Sequence, residues 1–169
     1  MNERYKKILM WALYAALLVF LSALQSVLFG KTRIFGTKLC LIPVAIACIA
    51  MHCGAENGAL FGLAAGLFWC FCGADGGALL ILSATLAALG TGLLCERWLM
   101  KNFVSALILS AGSLLLTQGL LLAFKAYLGQ AGGEAIPVLL LQALVSLLAV
   151  PPVYLAAWGI AKIYKPQKI

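Results

Sequence analysis

Six long runs of apolar residues make up most of this chain, and short stretches rich in glycine and charge separate them. A membrane-spanning helix needs ~20 predominantly apolar residues. The pattern therefore predicts spans at about residues 8–29, 39–51, 56–72, 78–95, 103–128 and 136–163. The expected fold is an all-α polytopic membrane bundle of about six helices. Segments 39–51 and 56–72 are short, and a re-entrant pair is the alternative for them.

Composition leaves little room for any other fold class. Of the 169 residues, 64% are hydrophobic and 10% are charged, whereas a soluble domain has roughly 25% charged residues. Six spans of ~20 residues account for most of the chain, so residues 1–169 are predicted to form one integral membrane domain with the lipid bilayer as its solvent. The net charge of +7 sits in loops and tails, which indicates membrane orientation and argues against a nucleic-acid partner.

The distribution of Lys and Arg predicts which side each loop faces. With six spans, eight basic residues fall on the side of the N-terminus: Arg4, Lys6, Lys7, Arg97, Lys101, Lys162, Lys165 and Lys168. Four fall on the other side: Lys31, Arg33, Lys38 and Lys125. Positive residues favour the cytoplasm, so both termini are expected there, and the first run is interpreted as an uncleaved signal anchor.

Small residues form two stripes that suit close helix packing. Gly54, Gly58, Gly62 and Gly66 recur every four residues, and Ala12 and Ala16 form a shorter stripe on the first span. Such faces let two backbones approach closely in a membrane. For both stripes the sequence leaves two interpretations open, which are packing inside the bundle and docking of a partner protein.

Candidate chemistry is sparse, and we predict no catalytic, cofactor-binding or metal-binding residue and no enzyme. The six cysteines (Cys40, Cys48, Cys53, Cys70, Cys72 and Cys95) form no CxxC pair, and they are predicted to be packing residues. His52 and Glu56 have the spacing of a helical pair. No charged residue falls in the middle of a predicted span, where coupled carriers usually place one.

Polar residues and prolines inside the predicted spans lead to three structural predictions. Ser110, Ser113, Thr117 and Gln118 form a mild polar stripe, expected to bond a neighbouring helix or its own carbonyls. Pro43 lies in the first turn of its span, where a missing N–H costs little. Pro151 and Pro152 lie inside the sixth run and should kink it.

Three segments of the sequence resemble the family of the rod shape-determining protein MreD. They are the end of the first span (residues 24–28 followed by residues 34–36), the glycine- and alanine-rich residues 58–69, and the loop at residues 93–103. Members of that family often carry an acidic residue where this chain has Leu39-Cys40, and Asp where it has Cys70.

This resemblance implies a non-enzymatic component of the bacterial elongation machinery in the cytoplasmic membrane. It would work beside an MreC-like protein, link the cytoskeleton to wall synthesis, and need no small-molecule substrate. The alternative is the substrate-binding S component of an energy-coupling factor importer. Such proteins are also small and basic with six helices, and they dock through a small-residue face on helix 1, where Ala12 and Ala16 would serve.

Overall fold

In a computed structural model of the chain, residues 3–29, 40–71, 77–129 and 135–164 are described, and this part of the protein is helical with no strand. A five-residue π-helical turn, Gln25–Phe29, extends the first helix. The α-helices are α1 (Glu3–Leu24), α2 (Leu41–Cys53), α3 (Ala55–Phe71), α4 (Gly77–Arg97), α5 (Phe103–Tyr127), α6 (Ala135–Leu147) and α7 (Val150–Tyr164).

These helices coincide with the six predicted apolar segments to within a few residues, so the helical fold class is confirmed. Within the described part of the chain, three helical stretches are long and apolar enough to cross a membrane, namely Ile8–Val27, Gly77–Arg97 and Phe103–Tyr127. The bent pair α6 and α7 would make a fourth if it forms one span. The remaining two, α2 and α3, have 13 and 17 residues, short of the ~20 that a perpendicular span needs.

The sixth predicted span is broken, as its prolines indicated. The axes of α6 and α7 differ by 47°, and the break falls at Leu148 and Ala149, just before Pro151 and Pro152. A proline lacks an N–H and its ring clashes with the carbonyl four residues earlier. Both prolines instead occupy the first turn of α7, where they are tolerated.

Helix α2 occupies the centre of the bundle. All of its residues from Leu41 to Met51 are buried, and it contacts each of the other six α-helices. A helix that is apolar on every side is suited to such a position. The small side chains of Ala45, Ala47 and Ala50 let its neighbours approach closely.

The outer surface of the bundle is apolar where the helices face away from α2. Large exposed side chains occur along the outer helices, among them Leu60, Leu63, Leu82, Leu86, Val104, Ile108, Leu144 and Leu155. In water such a surface would be a site of aggregation or binding. An apolar surface that continues over several helices is what contact with lipid requires. The surface therefore supports a membrane protein.

Candidate functional site

The glycines of α3 pack inside the bundle, against α4 and α2. A methyl group at Gly62 would lie 2.6 Å from Cβ of Ala88 and 2.9 Å from the carbonyl oxygen of Ala84. One at Gly58 would lie 2.7 Å from Cβ of Ala50, and one at Gly66 would lie 2.8 Å from Cα of Ile81. Each glycine therefore permits a backbone approach that any side chain would prevent.

Gly54 belongs to a turn and not to the helical stripe in which the sequence pattern placed it. It joins α2 to α3 with φ of 87°, a conformation that glycine adopts at little cost. The carboxylate of Glu96, at the end of α4, accepts a hydrogen bond from Ala55 N at 2.9 Å. Glu96 thereby satisfies one of the N–H groups that the start of α3 leaves open.

The small-residue stripe of α1 faces the other way. Ala12 and Ala16 are exposed, as are Val19 and Ala23 further along the same face. The opposite face of α1 holds the helix in the bundle: the hydroxyl of Tyr14 donates to the carbonyl of Ala157 in α7 at 3.2 Å. Of the two predicted stripes, only the one on α1 remains open to a partner.

A cluster of polar side chains surrounds the start of α2, and we call it the α2 polar cluster (Gln25, Cys40, Gln118, Gln142 and Ser146). The first turn of a helix leaves four N–H groups without a helical acceptor. Cys40 N donates to Oγ of Ser146 at 3.0 Å. Gln25 Oε1 accepts from both Leu41 N at 2.7 Å and Ile42 N at 3.1 Å.

The fourth position of that first turn is Pro43, which has no N–H to satisfy. Every donor at the start of α2 is thus bonded or absent, although the cap residue Cys40 makes no side-chain cap of its own. The carbonyl of Pro43 also accepts a hydrogen bond, from Oγ of Ser113 at 3.1 Å. Pro43 thus lies in the first turn of α2, as the sequence predicted, and its missing N–H completes the cap.

Two glutamine amides converge on the thiol of Cys40 from different helices. Nε2 of Gln118 in α5 lies 3.1 Å from Cys40 Sγ, and Nε2 of Gln142 in α6 lies 2.8 Å from it. Sulfur is a weak acceptor, so these contacts add little stability, but they show that α5 and α6 both meet the start of α2 here. Cys40 is buried in the hydrophobic core, as expected of a packing residue, and its thiol also accepts these two contacts.

The α2 polar cluster lies well below the end of the bundle. Gln118 is nine positions before Tyr127, the last residue of α5, which corresponds to about 14 Å along a helix axis. Backbone that is not helical is tolerated at such depth only where protein surrounds it and satisfies its polar groups. The side chains of the π-helical turn, α5 and α6 provide that environment.

The members of the cluster are joined by hydrogen bonds of their amides, the Ser146 hydroxyl and the Cys40 thiol. Amides and hydroxyls neither gain nor lose protons readily near neutral pH. No group of three or more His, Cys, Asp or Glu side chains suited to a metal ion occurs among the described residues. Of the cysteines, Cys48, Cys53, Cys70 and Cys95 are free thiols, and Cys72 lies outside the described residues.

The other polar features behave as local structure. Ser113 and Thr117 donate to carbonyls of their own helix, and Ser113 also donates to the carbonyl of Pro43. The prediction for the polar stripe is therefore confirmed for these two residues, whereas Oγ of Ser110 is buried without an acceptor among the described residues. His52 and Glu56 do not share one helix, because Gly54 ends α2 between them. Their four-residue spacing therefore does not give the helical pair that the sequence suggested.

No family model, curated protein or solved structure matches this chain.

The α2 polar cluster was not predicted from the sequence because its members come from distant segments of the chain. A signal was nevertheless present, since Gln25, Gln118 and Gln142 are the glutamines that fall inside apolar runs. Amides at such positions usually bond to another helix.

Replacing Gln25 by Leu should destabilise the protein because it leaves two buried N–H groups unbonded. Each orphaned group costs about 1–3 kcal/mol, so a loss of about 2–6 kcal/mol is expected in equilibrium unfolding from detergent. Gln142→Leu is the matched control, since it removes a donor from a sulfur that needs none, and it should cost under about 1 kcal/mol. Equal losses for the two variants would contradict the capping role of Gln25.

Proposed function

We propose that this protein is a non-enzymatic membrane component of the bacterial cell-shape and elongation machinery, which packs with an MreC-like partner through α1. The proposal rests on the different environments of the two small-residue stripes. The α3 glycines pack inside the bundle, against α2 and α4, whereas Ala12 and Ala16 remain exposed. The resemblance of the sequence to the MreD family supplies the identity of the partner.

An exposed stripe of alanines suits docking of another membrane helix. Lipid offers no hydrophobic force to drive helices together, so association depends on close van der Waals packing. Ala12 and Ala16 project little from the backbone of α1, and the more bulky Ile8 and Phe20 flank them on the exposed surface. A partner helix would lie against the alanines with these larger side chains at its edges.

The alternative, an S component that captures a solute, also uses a small-residue face on helix 1, so the exposure of Ala12 and Ala16 favours it too. Such a protein needs polar groups that are available to a ligand. In the α2 polar cluster the oxygens of Gln25 and Ser146 already accept backbone N–H groups, and the amides of Gln118 and Gln142 already contact Cys40. Because these groups are already hydrogen-bonded within the protein, they are not available to a solute, which supports the scaffold proposal over the importer.

Within this proposal the chain has six spans in the cytoplasmic membrane, with both termini in the cytoplasm. The turn between α2 and α3 supports a pair of short spans over a re-entrant loop. Glu96 near the end of α4 bonds Ala55, and Lys101 Nζ donates to the carbonyl of His52 at 3.4 Å. The turn therefore lies level with the charged end of a helix long enough to span.

The topology predicts the outcome of two reporter fusions. A reporter that is active only in the cytoplasm should be active when fused after Ile169. A reporter that is active only outside should be active when inserted between Gly132 and Gly133. A silent cytoplasmic reporter at Ile169, with the fusion protein present in the membrane, would require an odd number of spans.

The docking proposal predicts opposite effects for two substitutions. Ala16→Trp should leave the melting temperature of the isolated protein unchanged and abolish co-purification of the MreC-like partner. Gly62→Leu should lower stability by about 1–3 kcal/mol because it overpacks a filled contact. Ala64→Trp, at an exposed position of α3, is the control and should retain both stability and partner.

Three results would contradict the proposal. One is an Ala16→Trp variant that keeps the partner and restores rod shape to cells depleted of the protein. The second is loss of an ATPase-bearing module instead of an MreC-like protein, which would favour the importer. The third is stoichiometric recovery of a vitamin or metal ion with the purified chain.

A further inference from the structure

A pocket of about 260 Å³ opens at the end of the bundle where α2 and α7 finish and α5 begins. His52, Lys101, Trp158, Ala161 and Lys162 line it. Three separate elements thus contribute to one concave surface, which the docking function of α1 does not use.

Aromatic contacts fix the elements that form this pocket. The ring of Tyr154 in α7 lies 6.0 Å from that of His52 and 5.6 Å from that of Phe103, measured between ring centroids. Lys101 Nζ donates to the carbonyl of His52. The ends of α2, α5 and α7 are therefore held together, and the pocket is a property of the folded bundle.

The pocket is positively charged, and its two ammonium groups are available to an anion. Lys101 and Lys162 are both exposed. Within the described ranges, neither forms an ion pair with a carboxylate, and the nearby Glu96 is occupied by Ala55 N. Lys162 Nζ lies 5.1 Å from the centroid of the Trp158 ring, a cation–π distance that keeps the lysine at the pocket.

The surface of α7 beside the pocket is graded from apolar to cationic. Leu155, Trp158 and Lys162 follow one another on one helix face, with Leu155 62% and Trp158 46% exposed. From the middle of the bundle outward, this order presents an aliphatic, an amphipathic aromatic and a charged side chain. A phospholipid has the same order of acyl chain, glycerol region and phosphate, and tryptophan favours the interface between them.

We propose that this pocket binds the phosphate of an anionic phospholipid, with Lys101 and Lys162 contacting the phosphate and Trp158 and Leu155 contacting the glycerol and acyl regions. Basic pockets between membrane helices are suited to such head groups. A freely diffusing phosphate would use the two lysines but would gain nothing from the apolar part of the stripe. The graded surface therefore points to a lipid as the source of the anion.

Native mass spectrometry of the protein released from nanodiscs of mixed phosphatidylglycerol and phosphatidylcholine tests the proposal. The wild-type protein should retain phosphatidylglycerol preferentially. Replacing both Lys101 and Lys162 by Gln should reduce that preference about thirtyfold, which corresponds to ~1 kcal/mol for each lysine. Replacing both by Arg should preserve the preference, and Lys125→Gln, in the last turn of α5, should leave it unchanged.

Several outcomes would overturn the proposal. If Lys125→Gln weakens the preference as much as the double Gln variant does, the effect is one of general surface charge. If inorganic phosphate alone raises the melting temperature as much as phosphatidylglycerol does, and Leu155→Ser changes neither response, the site takes a soluble anion. Unchanged lipid preference in the double Gln variant, with its melting temperature intact, would exclude these lysines as the contacts.

Discussion

The first turn of α2 lies inside the bundle, and its backbone donors have to be satisfied by protein because neither lipid nor bulk water can reach them. A buried N–H without an acceptor costs about 1–3 kcal/mol, and three such donors stand at this point. Ser146 and Gln25 accept all three, and Pro43 removes the fourth. The π-helical turn after α1 and the last turn of α6 therefore lie against the start of α2, since they carry Gln25 and Ser146.

Close packing at the other side of α2 completes the same arrangement. The glycines of α3 bring its backbone against α4 and α2, and Gly92 of α4 is equally restricted, since a methyl group there would lie 2.5 Å from Cα of Ala55. Because the apolar driving force is weak in lipid, this contact depends on shape. These glycines are thus committed to internal contacts, whereas Ala12 and Ala16 of α1 remain exposed.

The sequence predicts the helices far better than it predicts the site. Apolar runs locate each helix, and Pro151 and Pro152 locate the break between α6 and α7, because length, hydropathy and proline geometry are local properties. The convergence of Gln25, Gln118 and Gln142 on one point is not local, since 117 positions separate the first from the last. Gly54 was misplaced for a related reason, because a four-residue repeat does not reveal that a helix ends within it.

Hydrogen–deuterium exchange of the purified protein in nanodiscs, resolved to single amides, is the most direct test of this account. The central claim is that the N–H groups at the start of α2 are closed by side chains from two other helical segments, the π-helical turn and α6. The amides of Leu41 and Ile42 should then exchange as slowly as those in the middle of α2, and more slowly than the exposed segment Trp98–Asn102 that joins α4 to α5. Exchange of Leu41 and Ile42 at the rate of that exposed segment would contradict the claim.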